Sequence, residues 1–135
     1  MKKILVIEDD ADIRTLLRAA LGFRGYTVVT CANGREGIAT FSEQGCAFGL
    51  IIVDLMMPVM NGWEFMEALE GVEIRSASGK MPVVVMSGMG KSEIAVGLKP
   101  EVEFLRKPIQ LPDLFATVER LFVSSESKDV RAEIP

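Results

Sequence analysis

The sequence predicts an α/β three-layer sandwich built on a parallel sheet. Three observations carry that prediction. Continuous apolar runs ending on charged or turn residues mark strands covered on both faces, as parallel sheets require. Stretches with helical spacing of apolar residues lie between them. Strand and helix alternate five times along 135 residues, a pattern that favours right-handed crossovers and helices on both sides of one sheet.

Ile4 to Ile7 is the first apolar run. After it, Ile13, Leu16, Leu17, Ala20 and Leu21 recur at helical spacing and make one apolar face. Asp10 or Asp12 can cap that helix, and Gly22 or Gly25 can end it. Tyr26 to Cys31 is a shorter strand candidate. "NGREGIATFSEQG" fits the next helix, with Ile38 and Phe41 facing inward and Gly37 weakening it. Leu50 to Val53 is the third strand, and Gly62 to Leu69 the third helix, turning Phe65, Met66 and Leu69 inward. Val83 to Met86 is the fourth strand and Lys91 to Leu98 a short fourth helix. Val102 to Leu105 is the fifth strand. Leu111, Leu114, Phe115, Val118, Leu121 and Phe122 form the cleanest stripe, with Pro112 near the helix start, where proline is tolerated. Residues 1–122 are thus one domain, and 123–135, "VSSESKDVRAEIP", a polar tail expected to be disordered.

Bulk properties exclude several classes. A net charge of −4 disfavours a general nucleic-acid or anionic-membrane binder, since both select basic surfaces. No apolar run approaches the roughly 20 residues of a spanning helix. "MKKILVIEDD" lacks the long apolar core of a signal peptide, so a cytoplasmic location is expected. Cys31 and Cys46 lack C-x-x-C spacing and read as structural thiols. The chain contains no histidine, which rules out a Ser-His-Asp triad, imidazole acid/base chemistry and His-ligated zinc. Chemistry here belongs to carboxylates, lysines, hydroxyls or a hard metal ion.

The groups following each strand supply them. Glu8-Asp9-Asp10 follows the first strand, Asp54 the third, Ser87 the fourth and Lys107-Pro108 the fifth. Taken singly, each has an ordinary reading as a helix cap, a turn or a helix entrance. In a parallel sheet, however, all gather at one edge, where ligands bind. Clustered carboxylates invite a divalent cation, and oxygen ligands suit Mg²⁺. A carboxylate beside Mg²⁺ can attack phosphorus, with a lysine and a hydroxyl neutralising the phosphoryl oxygens. On that reading Asp54 attacks, Asp9 holds the metal, and Lys107 and Ser87 hold phosphate oxygens.

Together "KILVIEDDADIR", "LIIVDLMMPVMNGWEF", "VVVMSG" and "FLRKPI" resemble the motifs of a two-component response-regulator receiver domain. The resemblance implies a flavodoxin-like fold with a five-stranded parallel sheet in order 2-1-3-4-5 and five flanking helices. It implies Asp54 as phosphoacceptor, Asp9 as direct Mg²⁺ (or Mn²⁺) ligand, Glu8 acting through water, and Met56 offering a backbone carbonyl. Ser87 matches the switch hydroxyl, Lys107 the phosphate lysine, and Phe104 an aromatic that turns inward on activation. The Lys107-Pro108 bond is expected to be cis. The implied partners are a sensor histidine kinase or histidine phosphotransfer protein, with no direct nucleic-acid or membrane contact and a monomer or weak homodimer. The implied protein is a regulatory phosphoacceptor, its only catalysis being self-catalysed phosphoryl transfer and hydrolysis. Met1 and the short tail favour a stand-alone or N-terminal receiver.

Some features depart from the family pattern. The Asp54–Ser87 interval is slightly long, through "EGVEIRSASGK", and "KSEIAVGLKPE" lacks the usual alanine-rich fourth helix. Met56 and Met89 stand two residues beyond Asp54 and Ser87, positions that flank the phosphoryl group in this family. Neither thioether orients an attacking water by a strong hydrogen bond, which predicts slow self-dephosphorylation unless the pair merely covers the sheet edge. A non-switching receiver-like interaction module is the alternative reading. A phosphatase of another Asp-nucleophile family needs a second acid where Met56 stands, and a flavodoxin-type binder needs a phosphate-cradling loop where "EDDAD" stands.

Overall fold

Five apolar runs pair into a single parallel sheet. The computed structural model describes residues 2–44, 47–56, 61–70, 81–88 and 102–133. Its strands are β1 (Lys3–Ile7), β2 (Thr27–Cys31), β3 (Leu50–Asp54), β4 (Val83–Ser87) and β5 (Glu103–Arg106). They align in the order β2-β1-β3-β4-β5, as the family resemblance implies, and every neighbouring pair is parallel. Four helices are described: α1 (Ala11–Phe23), α2 (Gly34–Gln44), α3 (Gly62–Glu70) and α4 (Leu111–Glu133). The helix expected over Lys91 to Leu98 lies outside the described residues, as do Pro58, Met89 and Cys46 and the side chains of Met66 and Leu69.

The two-residue period of the strands divides the interior into two cores. Leu5, Ile7, Ile51, Val53, Val83 and Val85 pack with Phe41 of α2 and Phe65 of α3. Ile4, Val6, Leu50, Ile52, Val84 and Met86 pack with Leu17 and Leu21 of α1 and Leu114, Val118 and Phe122 of α4. Strands β3 and β4 are buried at every residue, which is why their sequences read as unbroken apolar runs rather than alternating ones.

Caps set the helix limits. Asp10 Oδ1 accepts from the amides of Asp12 (2.8 Å) and Ile13 (3.2 Å), so Asp10 rather than Asp12 opens α1. Gly25, at φ 95°, supplies the left-handed turn that follows the helix. The Tyr26 amide bonds back to the Leu21 carbonyl (3.1 Å), so β2 starts one residue later than its sequence pattern predicts. Asn61 and Glu64 form a reciprocal capping box at α3: Glu64 N donates to Asn61 Oδ1 (2.9 Å) and Asn61 N to Glu64 Oε1 (3.1 Å).

Three expectations are corrected. Leu16, placed on the inner face of α1 by its spacing, is 45% exposed: Ile13, Leu17 and Leu21 already fill that stripe, and Leu16 sits beyond its edge. Strand β5 is shifted by one residue, with Val102 packing just ahead of it. The last helix does not end at Phe122 but continues to Glu133, and residues 123–133 hold no glycine or proline to stop it.

Gly37 has a tertiary role beyond its low helix propensity. A Cβ there would lie 2.5 Å from Ile7 Cδ1 and 3.1 Å from Phe65 Cε1, so its absence lets α2 approach β1 closely. Gly49 similarly leaves room for the Phe122 ring, which a Cβ would meet at 2.6 Å.

Candidate functional site

The strands deliver their last side chains to one edge. Glu8 stands two residues past Val6, Asp54 two past Ile52 and Lys107 two past Leu105. The strand period therefore sends all three toward the face covered by α1 and α4. Ser87, two past Val85, takes the parity of the opposite face. Among the described residues the buried polar or charged side chains are Glu8, Asp54 and Ser87. Among the described residues, these buried polar side chains thus all lie at the carboxyl ends of the strands.

Lys107 joins the two buried acids. Its Nζ donates to Asp54 Oδ2 at 3.0 Å and to Glu8 Oε1 at 3.1 Å. Glu8 Oε2 lies 3.0 Å from the same ammonium, but without hydrogen-bond geometry, and accepts no hydrogen bond among the described residues. Asp54 Oδ1 accepts from the Met56 amide at 3.2 Å. The backbone ties the edge together: Lys107 N donates to the Ser87 carbonyl (2.8 Å) and Leu55 N to that of Met86 (3.1 Å). The Lys107-Pro108 bond is cis, as expected.

Burial shapes the charge states. Desolvation pushes the Glu8 carboxyl up to about 7; the Lys107 hydrogen bond opposes this and the Asp54 charge adds to it. For Lys107, burial pulls the ammonium downward, but hydrogen bonds to Asp54 and Glu8 outweigh it and hold its pKa above the usual lysine value.

Asp9, unlike Glu8, is exposed. A carboxylate oxygen from each of Glu8, Asp9 and Asp54 lies within 4.8 Å of the others. An all-oxygen set around one point, with a buried Glu8 oxygen lacking a hydrogen-bond donor, fits a hard divalent cation such as Mg²⁺. Met56 is 59% exposed beside Asp54. Phe104 is half-buried in β5 and packs against the core beneath α2 and α3. Cys31 is buried and free, its thiol pushed up by burial, which suits a structural role.

One residue escapes the sequence reading. Arg14, in the first turns of α1, donates from Nη1 to the carbonyls of Glu8 (2.8 Å) and Asp9 (2.9 Å). An arginine just after an acidic loop was the available signal, but arginine on a helix is ordinarily a solvated surface residue.

The sequence matches the response regulator receiver domain over residues 4–119. The chain belongs to this family. Among curated relatives, this receiver domain is 33% identical to the transcriptional regulatory protein ZraR of Escherichia coli, covering 98% of this chain and 28% of that protein. It is 29% identical to the response regulator MprA of Mycolicibacterium vanbaalenii, covering 97% of this chain and 54% of that one. The chain therefore spans about a quarter to about half of these relatives. Among solved structures, the receiver domain is similar to the chemotaxis protein CheY4 of Vibrio cholerae (TM-score 0.73, 29% identity, covering 90% of this chain and 98% of that one). A response regulator receiver protein from Pseudomonas putida gives TM-score 0.76 at 28% identity, covering 88% and 96%. Among the described residues of the receiver domain, no helix is long and apolar enough to cross a membrane.

Proposed function

We propose that this receiver domain is a cytoplasmic signalling switch that takes a phosphoryl group onto Asp54 from the phosphohistidine of a sensor kinase or phosphotransfer protein. The observation that carries the reading is the Lys107 ammonium shared between Asp54 and Glu8 at the carboxyl edge of the sheet. An Asp54 carboxylate oxygen forms the new O–P bond while the donor N–P bond breaks, its electron pair returning to the imidazole. Lys107 then turns from the carboxylates to a phosphoryl oxygen, and the Ser87 hydroxyl donates to another.

Asp9 and Asp54 would hold Mg²⁺ directly, with Glu8 acting through water and Met56 through its carbonyl; the ion would neutralise the phosphoryl oxygens. Movement of Ser87 toward the phosphoryl group would vacate space that Phe104 turns into, shifting the population toward an active surface that a protein partner reads. The net charge of −4 favours a protein partner over direct contact with nucleic acid.

The test is labelling with acetyl phosphate or a phosphorylated histidine kinase in the presence of Mg²⁺. An alkali-labile phosphate on the wild type that is absent from Asp54→Asn is expected. Equal labelling of the two would reject Asp54 as acceptor. No labelling of the wild type would favour a receiver-like interaction module instead.

A further inference from the structure

Arg14 contacts three successive carbonyls of the acidic loop. Its backbone amide donates to Asp10 O at 3.0 Å, and its Nη1 bridges Glu8 O and Asp9 O at 2.8 and 2.9 Å. In an extended strand successive carbonyls point to opposite sides. Here two of them converge on one nitrogen, so the chain must turn at Glu8-Asp9 to meet it. The remaining groups of this loop have other anchors. Glu8 N donates to the Cys31 carbonyl (3.0 Å), Asp10 N to Glu8 Oε1 (3.3 Å), and Asp10 Oδ1 caps α1. The Asp9 carboxylate, by contrast, has no hydrogen bond among the described residues, so its placement depends on its backbone.

We propose that Arg14 is a positioning residue for the cation site, acting through the carbonyls of Glu8 and Asp9 to aim their carboxylates at the ion that Asp54 shares. This rests on the metal reading given under Proposed function. The guanidinium engages carbonyl oxygens and leaves the carboxylate oxygens to the cation. Two effects of Arg14 oppose each other and can be separated. As a positive charge near the site it repels a cation, so its removal by charge alone would tighten binding. As an anchor of the ligand backbone it favours binding, and loss of such supporting contacts typically weakens metal affinity about 10- to 100-fold.

Mg²⁺ titration of the unphosphorylated domain by calorimetry, repeated with Mn²⁺ by electron spin resonance, decides between them. Arg14→Ala is expected to raise the Mg²⁺ Kd by about 10-fold or more, and Arg14→Lys, which keeps a charged donor, to raise it less. Unchanged or tighter binding in Arg14→Ala overturns the positioning role. So does an equal loss in both variants that follows only their loss of folded fraction, measured by thermal unfolding in chelator. If Arg14→Ala does not fold, Arg14→Gln stands in for it, and unchanged affinity there overturns the proposal. Wild type that binds no Mg²⁺, or binds it equally after Asp9→Asn, overturns the metal reading itself and this proposal with it.

Discussion

Lys107 Nζ lies 3.0 Å from Asp54 Oδ2, across 53 residues of sequence, and the same ammonium serves Glu8. The two acids are almost wholly buried and Lys107 is 23% exposed, so the lysine is what makes a buried pair of carboxylates tolerable. Removing it as Lys107→Met leaves the pair uncompensated. Equilibrium urea unfolding at pH 7 should show a loss of about 3 kcal/mol, partly recovered by millimolar Mg²⁺. A loss below about 0.5 kcal/mol would mean that the ammonium contributes no more than a surface ion pair.

Glu8 gives the apo domain a specific pH dependence. Its carboxyl titrates near 4.5 when unfolded and at about 7 when folded. Between those values the folded state holds a proton that the unfolded state has released. Stability therefore falls as pH rises from 4.5 to 7 and levels off above it, by up to about 3 kcal/mol. Glu8→Gln, which cannot titrate, should flatten that slope in denaturant unfolding measured across the window. An equally steep slope in the variant would assign the effect to other groups.

Phosphate lifetime tests the methionine beside the acceptor. Met56 is exposed next to Asp54 and offers no side-chain hydrogen bond to steer a water at phosphorus. Slow loss of phosphate is expected, and Met56→Asn should accelerate it several-fold in a time course of labelled protein after removal of the donor. No acceleration would show that the side chain only covers the sheet edge.

The close approach of α2 to β1 predicts an inverted glycine effect. On an exposed helix Gly→Ala gains about 1 kcal/mol. At Gly37 the new methyl meets Ile7, which is fully buried, so Gly37→Ala should instead cost about 1 kcal/mol. Ile7→Val removes the Cδ1 atom in the way, and the double variant should recover most of that loss in a double-mutant cycle. Additive single effects would place the strain elsewhere.

Much of this was legible in the residues. The run Leu50 to Val53 ending on Asp54, and the placement of Glu8, Ser87 and Lys107 at or just past the ends of other strands, point to one edge from sequence alone, because strand period and strand ends are local features. The depth of Leu16 was not legible, since five apolar residues at helical spacing fit a face that only three need to fill. Nor was the use of Gly37, whose consequence depends on the Ile7 side chain of a neighbouring strand. Arg14 looked like a surface charge because the carbonyls it holds are not distinguishable by type.

Alternation of apolar runs and helical stripes, the lack of histidine and the order of acidic, hydroxyl and amino groups decided the fold class and the chemistry available to it. Such properties are encoded residue by residue along the chain. Which acid shares Lys107, how deeply Glu8 is buried and how its proton is held, and which carbonyls Arg14 grips were decided only by packing. Those relations join residues brought together by strand order and helix approach, and their energies depend on distances and desolvation that no local pattern contains.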